Sequence, residues 1–85
     1  MYVEAHHLIP MSKQEFYENS LDIVANIVGL CPNCHRLIHH GTFEDKARLI
    51  KLIYPQRIEV IREKGIQINI SDLLKIYKGT VEETD

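Results

Sequence analysis

Two pairs of histidines constrain this chain more than any other feature. His6 and His7 sit in Glu4-Ala-His-His-Leu-Ile-Pro10, and His35 and His39 in Cys31-Pro-Asn-Cys-His-Arg-Leu-Ile-His39. In 85 residues, imidazoles at this density have little purpose unless they share an ion. On a helix, residues four apart lie on one face, so His35 and His39 can reach a single metal. On a strand, successive side chains point to opposite faces. If His6 or His7 completes that ion, the other lies beside it, where it can deprotonate a water. Adjacent histidines on a strand therefore take unequal roles, one ligand and one base. Three protein ligands leave open coordination positions, as catalytic sites do.

Cys31 and Cys34 form a C-x-x-C pair at the start of the same helix. Helix neighbours point about 100° apart, so Cys34 does not join the ion held by His35 and His39. The cysteines make a separate knuckle. An ordinary two-cysteine, two-histidine finger is excluded, because it needs roughly a dozen residues between its pairs and none intervene here. A thioredoxin-like redox role needs a βαβ context, and the sequence downstream is helical. Metal binding at Cys31 and Cys34 is the better expectation in a reducing compartment.

Size limits the chain to one small domain with a thin core, the kind often helped by a metal, a disulfide or a partner chain. The net charge is −2 and the pI is about 6.2, and the basic residues are scattered. Affinity for phosphates rests largely on Lys and Arg, so a broad basic nucleic-acid surface is not expected. Any action on DNA must borrow positive charge from the metal or from another part of a larger assembly. No apolar run approaches the roughly 20 residues of a membrane span. The first residues lack a basic and then apolar leader, which predicts a cytoplasmic address.

The element pattern is strand, strand, helix, then more helices. Tyr2 to Ile9 reads as a strand ending at Pro10, Ser12 to Tyr17 as a helical turn, and Ile23 to Leu30 as a second strand. Cys34 to His40 reads as a helix closed by Gly41. Thr42 caps a further helix with Glu44 and Asp45 in its first turn, and Phe43, Ala47, Ile50 and Tyr54 form its apolar stripe, with Leu49 and Ile53 beside it. Pro55 ends that helix or opens another, Arg57 to Lys64, stopped by Gly65. Ile66, Ile68 and Ile70 alternate in an extended stretch. Ser71-Asp72 caps a last helix, Leu73 to Lys78, and an acidic tail, residues 80–85, frays. The fold class is α+β: a ββα core over residues 1–41 and a helical extension over 42–85.

Taken in order, Glu4-Ala-His6-His7, Asn26-Ile-Val-Gly-Leu30 and Cys31-x-x-Cys34-His35-x-x-x-His39 resemble the HNH (ββα-metal) endonuclease family, in its restriction-like branch with a C-x-x-C before the metal-binding helix. The resemblance covers about residues 3–41. It implies His7 as general base, His6, His35 and His39 as metal ligands, and Asn26 as the central asparagine that braces the loop of the catalytic site. It implies one divalent cofactor (Mg, Mn, Ni or Zn), DNA as partner and hydrolysis of a phosphodiester. His7 would take a proton from the attacking water, and activity should fall as acid protonates that ring. Glu4 shares a strand face with His6 and is expected to orient that ring. His40 falls off the ligand face, and Asp22 reads as an ordinary loop acid.

Family members with this C-x-x-C usually carry a second pair upstream of the first histidines, completing a four-sulfur zinc. This sequence begins five residues before His6 and holds no such pair. The expectations are a shortened form with a missing upstream segment, unpaired remnants, or a homodimer pooling its cysteines. Two other readings stand beside the nuclease: a non-catalytic, metal-stabilised module that binds nucleic acid or protein, and a fragment that folds poorly alone.

Overall fold

A computed structural model describes residues 2–79. The strands β1 (Glu4–His7) and β2 (Ile27–Leu30) form a two-stranded antiparallel sheet, followed by the helices α1 (Pro32–His40), α2 (Phe43–Glu63) and α3 (Ile70–Lys78). The chain is α+β, a ββα unit continued by a helical extension. The register sets Glu4 against Leu30, Ala5 against Gly29, His6 against Val28 and His7 against Ile27. Alternation along the strands then sends His6, Val28 and Leu30 inward.

The second strand is shorter than its β-branched run suggests. Val24–Asn26 coils into a 3₁₀ turn, closed by the Asn26 amide donating to the Ile23 carbonyl at 2.9 Å. Burying the Asn26 side chain takes precedence there over extending the sheet. Helix α1 begins two residues earlier than expected, at Pro32, whose missing N–H costs nothing in a first turn. Cys31 is its N-cap, with Sγ accepting from the Cys34 amide. Gly41 closes α1 with an ordinary φ of −73°. A glycine suits the position because a Cβ there would lie 2.6 Å from the Leu37 carbonyl oxygen.

Pro55 neither ends nor opens a helix. Helix α2 runs unbroken through it from Phe43 to Glu63, capped by the Thr42 hydroxyl. Pro55 is exposed, so the Lys51 carbonyl that loses its partner can turn to water. Gln56 Nε2 also donates to the Leu52 carbonyl at 3.0 Å, satisfying the neighbouring turn. The buried residues of α2 are Lys46, Ile50, Ile58 and Ile61. Phe43, expected in the apolar stripe, is 39% exposed, because as the first helical residue it sits at the rim. Just beyond the Lys64 C-cap of α2 the chain turns at Gly65, whose φ of +80° is the left-handed conformation a Cβ would strain.

Ile66 and Ile68 are buried and their neighbours exposed, as alternation implies, while Ile70 already belongs to α3. The cap of α3 is Asn69, not Ser71-Asp72: its Oδ1 accepts from the Asp72 amide at 2.7 Å. Residues 80–85, expected to fray, lie outside the described residues. One apolar cluster joins Leu8, Ile9, Leu21 and Ile38 to Ile50, Ile58, Ile61, Leu73 and Tyr77. It is this shared cluster that seats α1 against the sheet.

Candidate metal centre

Helix periodicity and strand alternation bring His6, His35 and His39 together. One ring nitrogen from each falls within 4.8 Å of the others, and the ring centroids lie 5.4, 5.1 and 4.8 Å apart. Among the described residues this is the one such group of His, Cys or acidic side chains. His6 and His39 are buried, and His35 is half-buried and opens toward solvent. A hollow lined by Glu4, Pro32, His35 and Arg36 adjoins it.

Two of the rings, His35 and His6, are held by partners from outside the group. His35 Nδ1 lies 3.0 Å from Glu4 Oε1; a carboxylate only accepts, so Nδ1–H donates and Nε2 keeps its lone pair. Glu4 was expected to orient His6 from the same strand face. Helix α1 crosses that face and lays His35 over Glu4 instead. His6 Nε2 meets the Tyr77 hydroxyl at 2.7 Å. The other nitrogen, His6 Nδ1, is buried without a hydrogen-bond partner. His39 Nε2 and His35 Nε2 are 3.1 Å apart. Two nitrogens on one tetrahedral ion, at bonds of about 2.0–2.1 Å, stand about 3.3 Å from one another. An orphaned buried nitrogen beside two converging ones fits a metal ion, since unpaired buried polar atoms are otherwise costly. Burial, and then the neighbouring rings of His39, His35 and His7, push the pKa of His6 down to about 3, so it is neutral and able to ligate near pH 7.

His7 points to the other face of β1. Its Nε2 lies 2.9 Å from Asp22 Oδ1, so the acid taken for an ordinary loop residue holds this ring. Asn26 is buried and does not join the histidine cluster. Its Oδ1 accepts from the Ile9 amide at 2.8 Å, and its Nδ2 donates to the Ile9 and Leu21 carbonyls at 2.9 Å each. The backbone following His7 is thereby clamped in place. His40 is exposed.

Cys31 and Cys34 stand outside the histidine group as free thiols. The Cys34 amide donating to Cys31 Sγ favours the thiolate and lowers the pKa of Cys31. The hydrogen bond shared with Cys31 raises that of Cys34. Tyr77 was not singled out by sequence, because no spacing links it to His6, 71 positions away. An isolated aromatic on the apolar face of α3 reads as core.

A model of the HNH endonuclease family matches residues 1–41, the stretch that carries all five histidines and Asn26. Over these residues, just under half of its length, the chain is similar to the HNH endonuclease family. A relative described as the type IV methyl-directed restriction enzyme EcoKMcrA, from Escherichia coli (strain K12), is 40% identical over 53 residues. That alignment takes in 62% of this chain and 17% of the relative, so the chain spans about a sixth of that protein's length. No solved structure matches. Among the described residues no helix is long and apolar enough to cross a membrane.

Proposed function

We propose that this chain is the nuclease module of a restriction-type enzyme, hydrolysing DNA phosphodiesters at one divalent ion held by His6, His35 and His39. The observation that carries this reading is the convergence of three imidazoles, one with an orphaned buried nitrogen, next to a fourth histidine on the opposite strand face. His7 is the general base. Asp22 fixes its ring, and the neutral ring takes a proton from the water that attacks phosphorus. Asn26 positions the backbone at His7 and touches no reacting atom. Glu4 sets the tautomer of His35. When bound, the ion supplies positive charge against that developing on the phosphate and the leaving oxygen. Three imidazoles suit zinc or nickel better than magnesium or manganese.

Residues 1–41 carry the chemistry, and the helices beyond Gly41 support it. Cys31 and Cys34 supply half of a structural zinc site, whose other ligands come from an upstream segment or from a second copy of the chain. A restriction-type role on cellular DNA would put its site of action in the cytoplasm. The relative's name describes selection of methylated sites; the side chains of this centre address phosphate and water, and that selectivity is not carried over.

Plasmid cleavage with magnesium, manganese, nickel or zinc, compared between the parent and His7→Ala, tests the reading. A general base contributes about 10²–10⁴-fold. Cleavage should fall by that factor in His7→Ala while calorimetry shows unchanged ion binding. Undiminished cleavage in His7→Ala removes the base. Ion binding with no cleavage by the parent under any ion leaves a non-catalytic module.

A further inference from the structure

Among the described residues, the Tyr77 hydroxyl meets the Leu8 carbonyl at 2.6 Å, His6 Nε2 at 2.7 Å and, more distantly, the His7 carbonyl at 3.5 Å. A phenol has one proton, and backbone carbonyls only accept. At 2.6 Å the proton lies between Tyr77 and Leu8, since two oxygens do not approach so closely without one. The Tyr77 oxygen is left to accept from His6, which means that His6 carries its hydrogen on Nε2. A neutral imidazole has a single N–H, so the lone pair lies on Nδ1, the buried atom without a hydrogen-bond partner among the described residues.

We propose that Tyr77 is a positioning residue of the metal centre. It anchors the His6 Nε2–H against the Leu8 carbonyl and so presents the His6 Nδ1 lone pair to the ion. The inference rests on the metal-centre reading above and adds α3 to it. His6 and His35 are held in opposite tautomers by partners of opposite chemistry. The Glu4 carboxylate takes the Nδ1–H of His35, and the Tyr77 oxygen takes the Nε2–H of His6. The same hydroxyl ties α3 to the backbone just after the two strand histidines, so the ring and its strand are fixed by one group. Neither rotation of the imidazole nor transfer of its proton is then possible without breaking a buried hydrogen bond.

The test uses the full chain. Long-range ¹H–¹⁵N correlation of the histidine rings in metal-free protein should place the His6 proton on Nε2 and show it protected from exchange. In Tyr77→Phe, which keeps the ring and removes the hydroxyl, that protection should vanish and Ni²⁺ affinity by calorimetry should fall by about 10–100-fold, the usual cost of losing a group that orients a ligand. Ile61→Val, which trims the same core without touching the hydroxyl, should leave both unchanged. A His6 proton on Nδ1 in the metal-free parent overturns the proposal, as does Ni²⁺ binding by Tyr77→Phe as tight as the parent's. If Tyr77→Phe does not fold, the parent spectrum decides alone. A parent that binds no Ni²⁺ defeats the metal centre itself, while the spectrum still decides the tautomer.

Discussion

His6 is buried among three other imidazoles, and that position has a thermodynamic signature. Its pKa falls from 6.5 to about 3, first through burial and then through His39, His35 and His7. Between those values the unfolded chain takes up a proton that the folded chain refuses, so acidification favours unfolding. The contribution is fully present above about pH 6.5 and drains away as pH falls toward 3, with a slope of up to about 1.4 kcal/mol per pH unit. Urea midpoints of the metal-free protein should therefore drop between pH 7 and pH 4, and less steeply in His6→Gln. Equal slopes in the two would show that His6 is not the group refusing the proton. The histidines of this centre were legible because their periodicities are local: four residues on a helix, two faces on a strand. Their outer partners were not. Asp22 reaches His7 through a loop, and Tyr77 reaches His6 through the packing of α3, contacts that no sequence spacing encodes.

Among the elements, α2 departs furthest from what its sequence suggests. Local propensity puts a break at Pro55, yet the helix continues because Ile50 on one side and Ile58 and Ile61 on the other enter the same core. Tertiary burial on both flanks outweighs one lost hydrogen bond on the exposed side. Arg57 adds a polar anchor: its Nη2 donates to the Val24 and Ala25 carbonyls at 2.9 Å each, fastening α2 to the turn that holds Asn26. Replacing Pro55 by Ala restores an N–H and removes a ring clash. In an exposed helix interior that exchange is worth about 3 kcal/mol, offset by roughly 0.4–1 kcal/mol from a freer unfolded chain and further by the adaptation already present. Pro55→Ala should stabilise the protein by about 1–2 kcal/mol, read as a higher urea midpoint. A loss of stability would mean instead that the shape proline imposes is what seats Ile58 and Ile61. The glycine stops, by contrast, were legible at both ends, and at Gly65 for the reason the sequence offers, a positive φ.

For the molecule as a whole, the boundary of the chemistry is not the boundary of the folding unit. The family match ends at residue 41, but half of the buried apolar cluster, from Ile50 to Tyr77, comes from beyond it. The radius of gyration, 11.9 Å, is about what one compact domain of this length requires, so the helical extension is wrapped into the core and does not stand off from it. A ββα unit of 41 residues is near the size below which chains need a metal, a disulfide or a partner to fold. Cut at Gly41, this one would expose Leu8, Ile9 and Ile38 and lose the Tyr77 hydroxyl that holds His6. Ion binding cannot make up the whole deficit, because the ligands must first be gathered and the gathering is done by the missing helices. A peptide of residues 1–41 should therefore lack the helical circular dichroism of the intact chain and bind Ni²⁺ far more weakly in the same titration. If that peptide instead melts cooperatively and takes up Ni²⁺ as the full chain does, the extension is dispensable to the centre, and the link drawn here between α3 and His6 loses its structural basis.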